Sequence, residues 1–151
     1  MVRLARNDLQ VFHRKEFTGM IITDGGKPAN LNENNYDCTV RALAIAGGID
    51  YEVAYIIAED AGRMPAKSYP WAQVVREWMN QGFGTYDWNI GNGTVASFIR
   101  NNPRGRFVLR VYTYGAKSGH VFAVIDGVIY DNSPVSTRQE VRSFYALKPK
   151  K

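Results

Sequence analysis

The chain has 151 residues, of which 45% are hydrophobic and 13% aromatic, and it carries a formal net charge of +5 at pH 7. This composition excludes a wholly disordered chain and supports one globular domain spanning residues 1–151. The single cysteine excludes an internal disulfide and a zinc site built from several cysteines. Charges interrupt the first residues every few positions, and no apolar stretch reaches membrane-spanning length. We therefore expect a cytoplasmic protein that does not associate with membranes.

Apolar spacing of the helical kind predominates in the first half of the chain. Together with flanking Asn, Asp, Gly and Pro residues it predicts helices at 35–46, 50–61, between Ser68 and Gly82, and around 94–101. The second helix is expected to bury Val53, Ile56 and Ile57. Residues 1–30 are ambiguous and contain one short apolar run, at 20–22.

The apolar period changes to two in the second half. It predicts strands at 106–114, 120–125, 128–131 and 142–147. The dipeptide Asp126-Gly127 predicts a type I′ hairpin between the second and third of these strands. The expected fold class is therefore α+β, with N-terminal helices packed on a C-terminal antiparallel β-sheet.

Cys38 is predicted to lie in the first turn of the first helix. A cysteine reacts as its thiolate, and the unpaired amides and dipole of a helix N-terminus stabilise an anion. Cys38 is therefore a candidate nucleophile. The alternative is that it is a small buried residue with no chemical role.

The predicted hairpin places a histidine and an acid together. With Asp126 and Gly127 as a two-residue turn, His120 and Asp131 fall on one face as diagonal neighbours. Asp131 can then hold one ring nitrogen while the other takes a proton from a thiol, which is the division of roles in a nucleophilic triad. A three-residue turn would instead put Asn132 on that face, so Asn132 is the alternative orienting residue.

Two segments carry a family resemblance. Residues 34–44, NNYDCTVRALA, and residues 119–132, GHVFAVIDGVIYDN, resemble papain-like cysteine peptidases, particularly compact bacterial and phage types similar to the double-glycine leader peptidases. The Asp-Cys-x-x-Arg-Ala run also resembles ovarian-tumour-type deubiquitinases. The resemblance implies a papain-like fold and a cysteine hydrolase that cleaves a peptide or isopeptide bond in a protein or peptide substrate. Cys38 would attack, His120 would serve as base and then acid, and Asp131 would orient His120.

The resemblance also implies an oxyanion-stabilising side chain. Relatives place a Gln six residues before the nucleophile, whereas this chain has Asn32, which is shorter by one methylene. The Cys38 amide would supply a second donor. The papain signature Cys-Gly-Ser/Ala-Cys-Trp is absent.

A binding protein is the alternative function: a catalytically weak or inactive papain-like scaffold that occludes a host protein or nucleic acid. It is supported by the shorter Asn32, by the +5 charge and by the aromatic residues Trp88, Tyr112 and Tyr114. Nucleic acid is a weakly supported partner, because the basic residues are mostly scattered along the sequence. We expect no cofactor and no metal, since two histidines and one cysteine stand at no recognised ligand spacing.

Overall fold

The computed structural model describes residues 19–28, 37–63, 71–82, 85–91, 93–112 and 119–148, with the backbone alone at 71–72, 85–90, 112 and 148. The helices in these ranges are α1 Cys38–Gly47, α2 Tyr51–Asp60, α3 Trp71–Asn80 and α4 Val95–Asn101. The strands are β1 Met20–Ile22, β2 Thr85–Ile90, β3 Arg106–Tyr112, β4 Gly119–Ile125, β5 Val128–Asp131 and β6 Val141–Lys148. The mixture of helices and one sheet confirms the predicted α+β class.

The described strands form one sheet in the order β1-β5-β4-β3-β6-β2. Neighbouring strands are antiparallel except β1, which pairs with β5 in parallel. The expectation of a wholly antiparallel, C-terminal sheet was therefore wrong, because β1 and β2 enter from earlier parts of the chain and form its two edges. A three-residue strand such as β1 is too short to show a period of two in the sequence.

The sheet has an apolar core on each face, because successive side chains of a strand point to opposite sides. On one face Val108, Val121 and Ala123 belong to a buried cluster that also contains residues of α1, α2 and α3. On the other face Leu109 and Phe122 belong to a second buried cluster, which also contains Val95 and Phe98 of α4. The helices α1–α3 thus form a layer that covers one side of the sheet, as predicted for the N-terminal helices.

Helix α1 is buried on almost every side. Its residues Val40, Ala42, Leu43, Ala44 and Ala46 are each no more than 2% exposed. It ends at Gly48, whose positive φ of 68° suits glycine, and Arg106 Nη1 donates to the Ala46 carbonyl oxygen at 2.9 Å. This packing fixes the helix against the sheet and with it the position of Cys38, its first residue.

Helix α2 differs from its predicted orientation. Ile57 is buried as expected, but Ile56 is 54% exposed and Val53 is only partly buried. The buried stripe instead contains Tyr51 and Ala54, three residues apart, together with Ala58. This stripe matches the helical period as well as the predicted one does, and the tyrosine has a polar partner in the interior, described below.

The hairpin of β4 and β5 has the predicted turn. Asp126 and Gly127 have φ values of 48° and 81°, and Ile125 pairs directly with Val128. Both values lie in the left-handed region that a type I′ turn requires. The two-residue turn sets the register that brings residues 120 and 131 to one face. In the described part of the chain no helix is long and apolar enough to cross a membrane.

Candidate active site

The structure brings Cys38, His120 and Asp131 together. Cys38 is the first residue of α1, and its sulfur lies close enough to the His120 ring for each group to shift the pKa of the other. His120 Nε2 lies 2.5 Å from Asp131 Oδ2. Because Nε2 faces the carboxylate, Nδ1 is the nitrogen left for the sulfur. Three of the four predicted site residues therefore lie together, with His120 between Cys38 and Asp131.

The three residues differ in exposure. Cys38 is partly exposed, the His120 side chain is 29% exposed, and the Asp131 side chain is 2% exposed. The carboxylate that orients the imidazole is shielded from water, which strengthens its interaction with the ring.

His120 is held in its protonated form. Burial alone would lower its pKa, but the hydrogen bonds to Asp131 and Cys38, and the negative charges of both, raise the pKa of His120 to about 9. At neutral pH the ring therefore carries a positive charge beside the sulfur.

The surroundings of Cys38 favour its thiolate. Burial alone would raise the pKa of the thiol, but the His120 hydrogen bond and charge, the Val121 backbone N–H and the Arg41 charge together lower that pKa. The N-terminus of α1 favours the same form. Both shifts favour a thiolate–imidazolium pair, the reactive state of a nucleophilic cysteine.

The two oxygens of Asp131 have different partners. Oδ2 faces His120, while Oδ1 accepts from the Asn132 backbone N–H at 2.8 Å and from Arg41 Nη2 at 3.3 Å. The residue next to His120 is thus Asp131. Asn132, the alternative orienting residue, is exposed and contributes its main-chain amide.

The sequence analysis missed a second buried acid, Asp37, which is 1% exposed. The Tyr51 hydroxyl donates to its Oδ2 at 2.7 Å, Lys27 Nζ lies 3.4 Å from Oδ2, and Arg41 Nη1 donates to Oδ1. Burial raises the pKa of Asp37, but the Tyr51 hydrogen bond and the charges of Arg41 and Lys27 outweigh it and lower the pKa. The signal for this contact in the sequence was a pair of opposite charges, Asp37 and Arg41, four residues apart at the start of an apolar helix.

Several predicted residues cannot be placed. Asn32 and Tyr114 lie outside the described residues, and at Trp88 and Tyr112 the description covers the backbone alone.

The Cys38 amide lies in the first turn of α1, where amides have no partner within the helix. It is therefore available as an oxyanion donor.

In the ranges described above, no group of three or more His, Cys, Asp and Glu side chains is arranged to hold a metal ion. The geometry thus consists of a thiolate, an imidazolium and a carboxylate in sequence, with Arg41 beyond the carboxylate.

Compared with known proteins, the chain matches no family model, no curated protein and no solved structure.

Proposed function

We propose that this protein is a cysteine hydrolase of compact papain-like type that cleaves a peptide or isopeptide bond. The observation that supports the proposal most strongly is the placement of His120 between the Cys38 sulfur, at the start of α1, and Asp131, whose Oδ2 lies 2.5 Å from His120 Nε2. A sulfur at a helix start, an imidazole with a raised pKa and a buried orienting carboxylate supply the groups that acyl transfer through a thioester needs.

In the first step the Cys38 thiolate attacks the carbonyl carbon of the substrate. A C–S bond forms, and the carbonyl π electrons move to the oxygen. The Cys38 amide donates to this oxyanion, and Asn32 is proposed as the second donor. The C–N bond then breaks as His120 Nδ1 gives its proton to the leaving amine, which leaves a thioester and a neutral imidazole.

In the second step His120 acts as a base. Its neutral Nδ1 removes a proton from water while the water oxygen attacks the thioester carbon. The C–S bond breaks, the carboxylic product leaves, and the thiolate–imidazolium pair is restored. Throughout both steps the Asp131 carboxylate keeps Nε2 protonated, so that Nδ1 is the nitrogen that exchanges protons.

Acylation by a panel of peptidyl thioesters and activated peptidyl esters tests this proposal. Mass spectrometry is expected to find the acyl group on Cys38 and to find released acid over time. Cys38→Ala should lower turnover by a factor on the order of 10⁶, as loss of a triad nucleophile does elsewhere. Cys38→Ser is the isosteric control and should be nearly as inactive.

The masses of the products also separate related reactions, because hydrolysis, transamidation and deamidation of a candidate substrate change its mass differently. No acylation of the wild-type protein, combined with full biological activity of Cys38→Ala, would contradict the proposal. That result would instead support the binding function.

A further inference from the structure

Arg41 is a buried cation that joins two carboxylates. The residue is 5% exposed, and its Nη1 donates to Asp37 while its Nη2 lies 3.3 Å from Asp131 Oδ1. Burying charges in this way is costly, and an apolar replacement of similar size often stabilises a fold equally well. Stability alone is therefore a weak explanation for this arrangement.

The guanidinium is anchored on the side away from the triad. Asp37, which accepts from it, is itself held by the Tyr51 hydroxyl and by Lys27. The turn at Gly25 packs against the Arg41 stem, since a Cβ at Gly25 would lie 3.5 Å from Arg41 Cγ. Arg41 is thus fixed from α2 and from the segment that follows β1.

This anchoring extends to the carboxylate that faces His120. Arg41 and the Asn132 amide both donate to Oδ1 of Asp131, which leaves Oδ2 for the ring. Rotation of the carboxylate would break these contacts together. We propose that Arg41 is a positioning residue that fixes the Asp131 carboxylate in the orientation from which it holds His120; this inference rests on the function proposed above.

The charges of the cluster determine which variants are informative. Asp37 and Asp131 are balanced by Arg41 and Lys27, and the thiolate is balanced by the imidazolium. Removing Arg41 alone would leave an excess negative charge in the interior. Arg41→Lys keeps the charge but loses the planar, forked donor. The double substitution Asp37→Asn with Arg41→Met keeps the balance with no cation at 41.

The titration of His120 is the readout, followed by ¹⁵N NMR of the imidazole in a His13→Gln background, where His120 is the one histidine. The titratable groups beside the ring are Cys38 from α1 and Asp131 from β5, and Arg41 from α1 contacts the other oxygen of Asp131. In both Arg41 variants we expect the pKa of His120 to fall from about 9 by about one unit or more, a ten-fold change in its protonation equilibrium.

Arg63→Lys is the matched control, because Arg63 is also buried, at 4% exposure, but its guanidinium lies over the Tyr55 ring. It should leave the His120 titration unchanged. An unchanged pKa of His120 in folded Arg41 variants, with only a lower Tm, would show a purely structural role and overturn the inference. A rise would also overturn it, because it would show a through-space charge effect.

If the double variant does not fold, the titration of His120 in Arg41→Lys tests the inference by itself, since this variant retains every buried charge. This titration also separates the two proposals. It reports the contact between His120 and Asp131 whether or not the protein turns over a substrate, whereas failure of the hydrolase proposal appears in the acylation of the wild-type protein.

Discussion

Replacement of His120 by alanine is expected to slow the alkylation of Cys38 by iodoacetamide at about pH 6.5 by roughly ten-fold or more. In the wild-type protein the hydrogen bond and charge of His120 and the Val121 backbone N–H lower the pKa of the Cys38 thiol, which favours its thiolate. Without the imidazolium, the burial of Cys38 raises the pKa of its thiol. The thiol of the variant should then titrate at or above the value of about 8.5 of a free cysteine.

The size of this effect follows from two opposing factors. A thiol with a pKa of about 8.5 is roughly 1% thiolate at pH 6.5, so the wild-type protein has up to a hundred-fold more reactive anion. A thiolate of lower pKa is also a weaker nucleophile, with a Brønsted slope of about 0.4–0.5, which offsets part of this gain. His13→Ala is the control, and equal rates in wild type and His120→Ala would show that the imidazole does not activate the sulfur.

Asp131→Asn is expected to lower turnover by about 10⁴, the loss seen when an amide replaces the orienting carboxylate of a nucleophilic triad. The structure explains why an amide does not suffice at this position. Oδ1 accepts from the Asn132 amide and Arg41, while Oδ2 accepts from His120. Both positions of the side chain must therefore accept hydrogen bonds. An asparagine side chain has only one oxygen, and its NH₂ group donates.

In the variant we expect the amide oxygen to face the two donors on the Oδ1 side, which turns its NH₂ group towards His120. The ring must then present a lone pair at Nε2 and carry its proton at Nδ1, the wrong tautomer for taking a proton from a thiol or from water. We expect the pKa of His120 to fall from about 9 to its ordinary value near 6.5 or below.

The ¹⁵N shifts of the imidazole measure both the tautomer and the pKa. Asn132→Ala is the matched control, because the Asn132 side chain is exposed and its backbone amide is retained. Unchanged titration in Asp131→Asn together with a lowered pKa in Asn132→Ala would reverse the two roles and make Asn132 the orienting residue.

The contact between His120 and Asp131 was predictable because it depends on local geometry. Asp126 and Gly127 both adopt positive φ, and a two-residue turn fixes the register of every pair beyond it. A buried helix with Cys38 in its first turn was predictable for a similar reason, since apolar spacing and a glycine stop define such a helix. The approach of Cys38 to His120 depends on how α1 packs on the sheet, which local sequence patterns do not predict.

Other features depend on contacts between distant parts of the chain. The strand β1 pairs with β5 across more than a hundred residues, and three residues give no period from which to predict it. The link between Arg41 and Asp131 joins residues 90 apart in the sequence. Only the local half of that network, Asp37 with Arg41, left a signal, as charges four residues apart in an apolar helix.

The ionisation of the Cys38 sulfur in the wild-type protein tests the central claim most directly. The ultraviolet absorbance of the thiolate, measured against Cys38→Ser as the blank, gives its titration as a function of pH. The expected result is a thiolate that forms below the ordinary range of a free thiol, because the hydrogen bond and charge of His120, which is protonated up to about pH 9, lower the pKa of Cys38. A thiol that titrates near 8.5, as a free cysteine does, would contradict the claim.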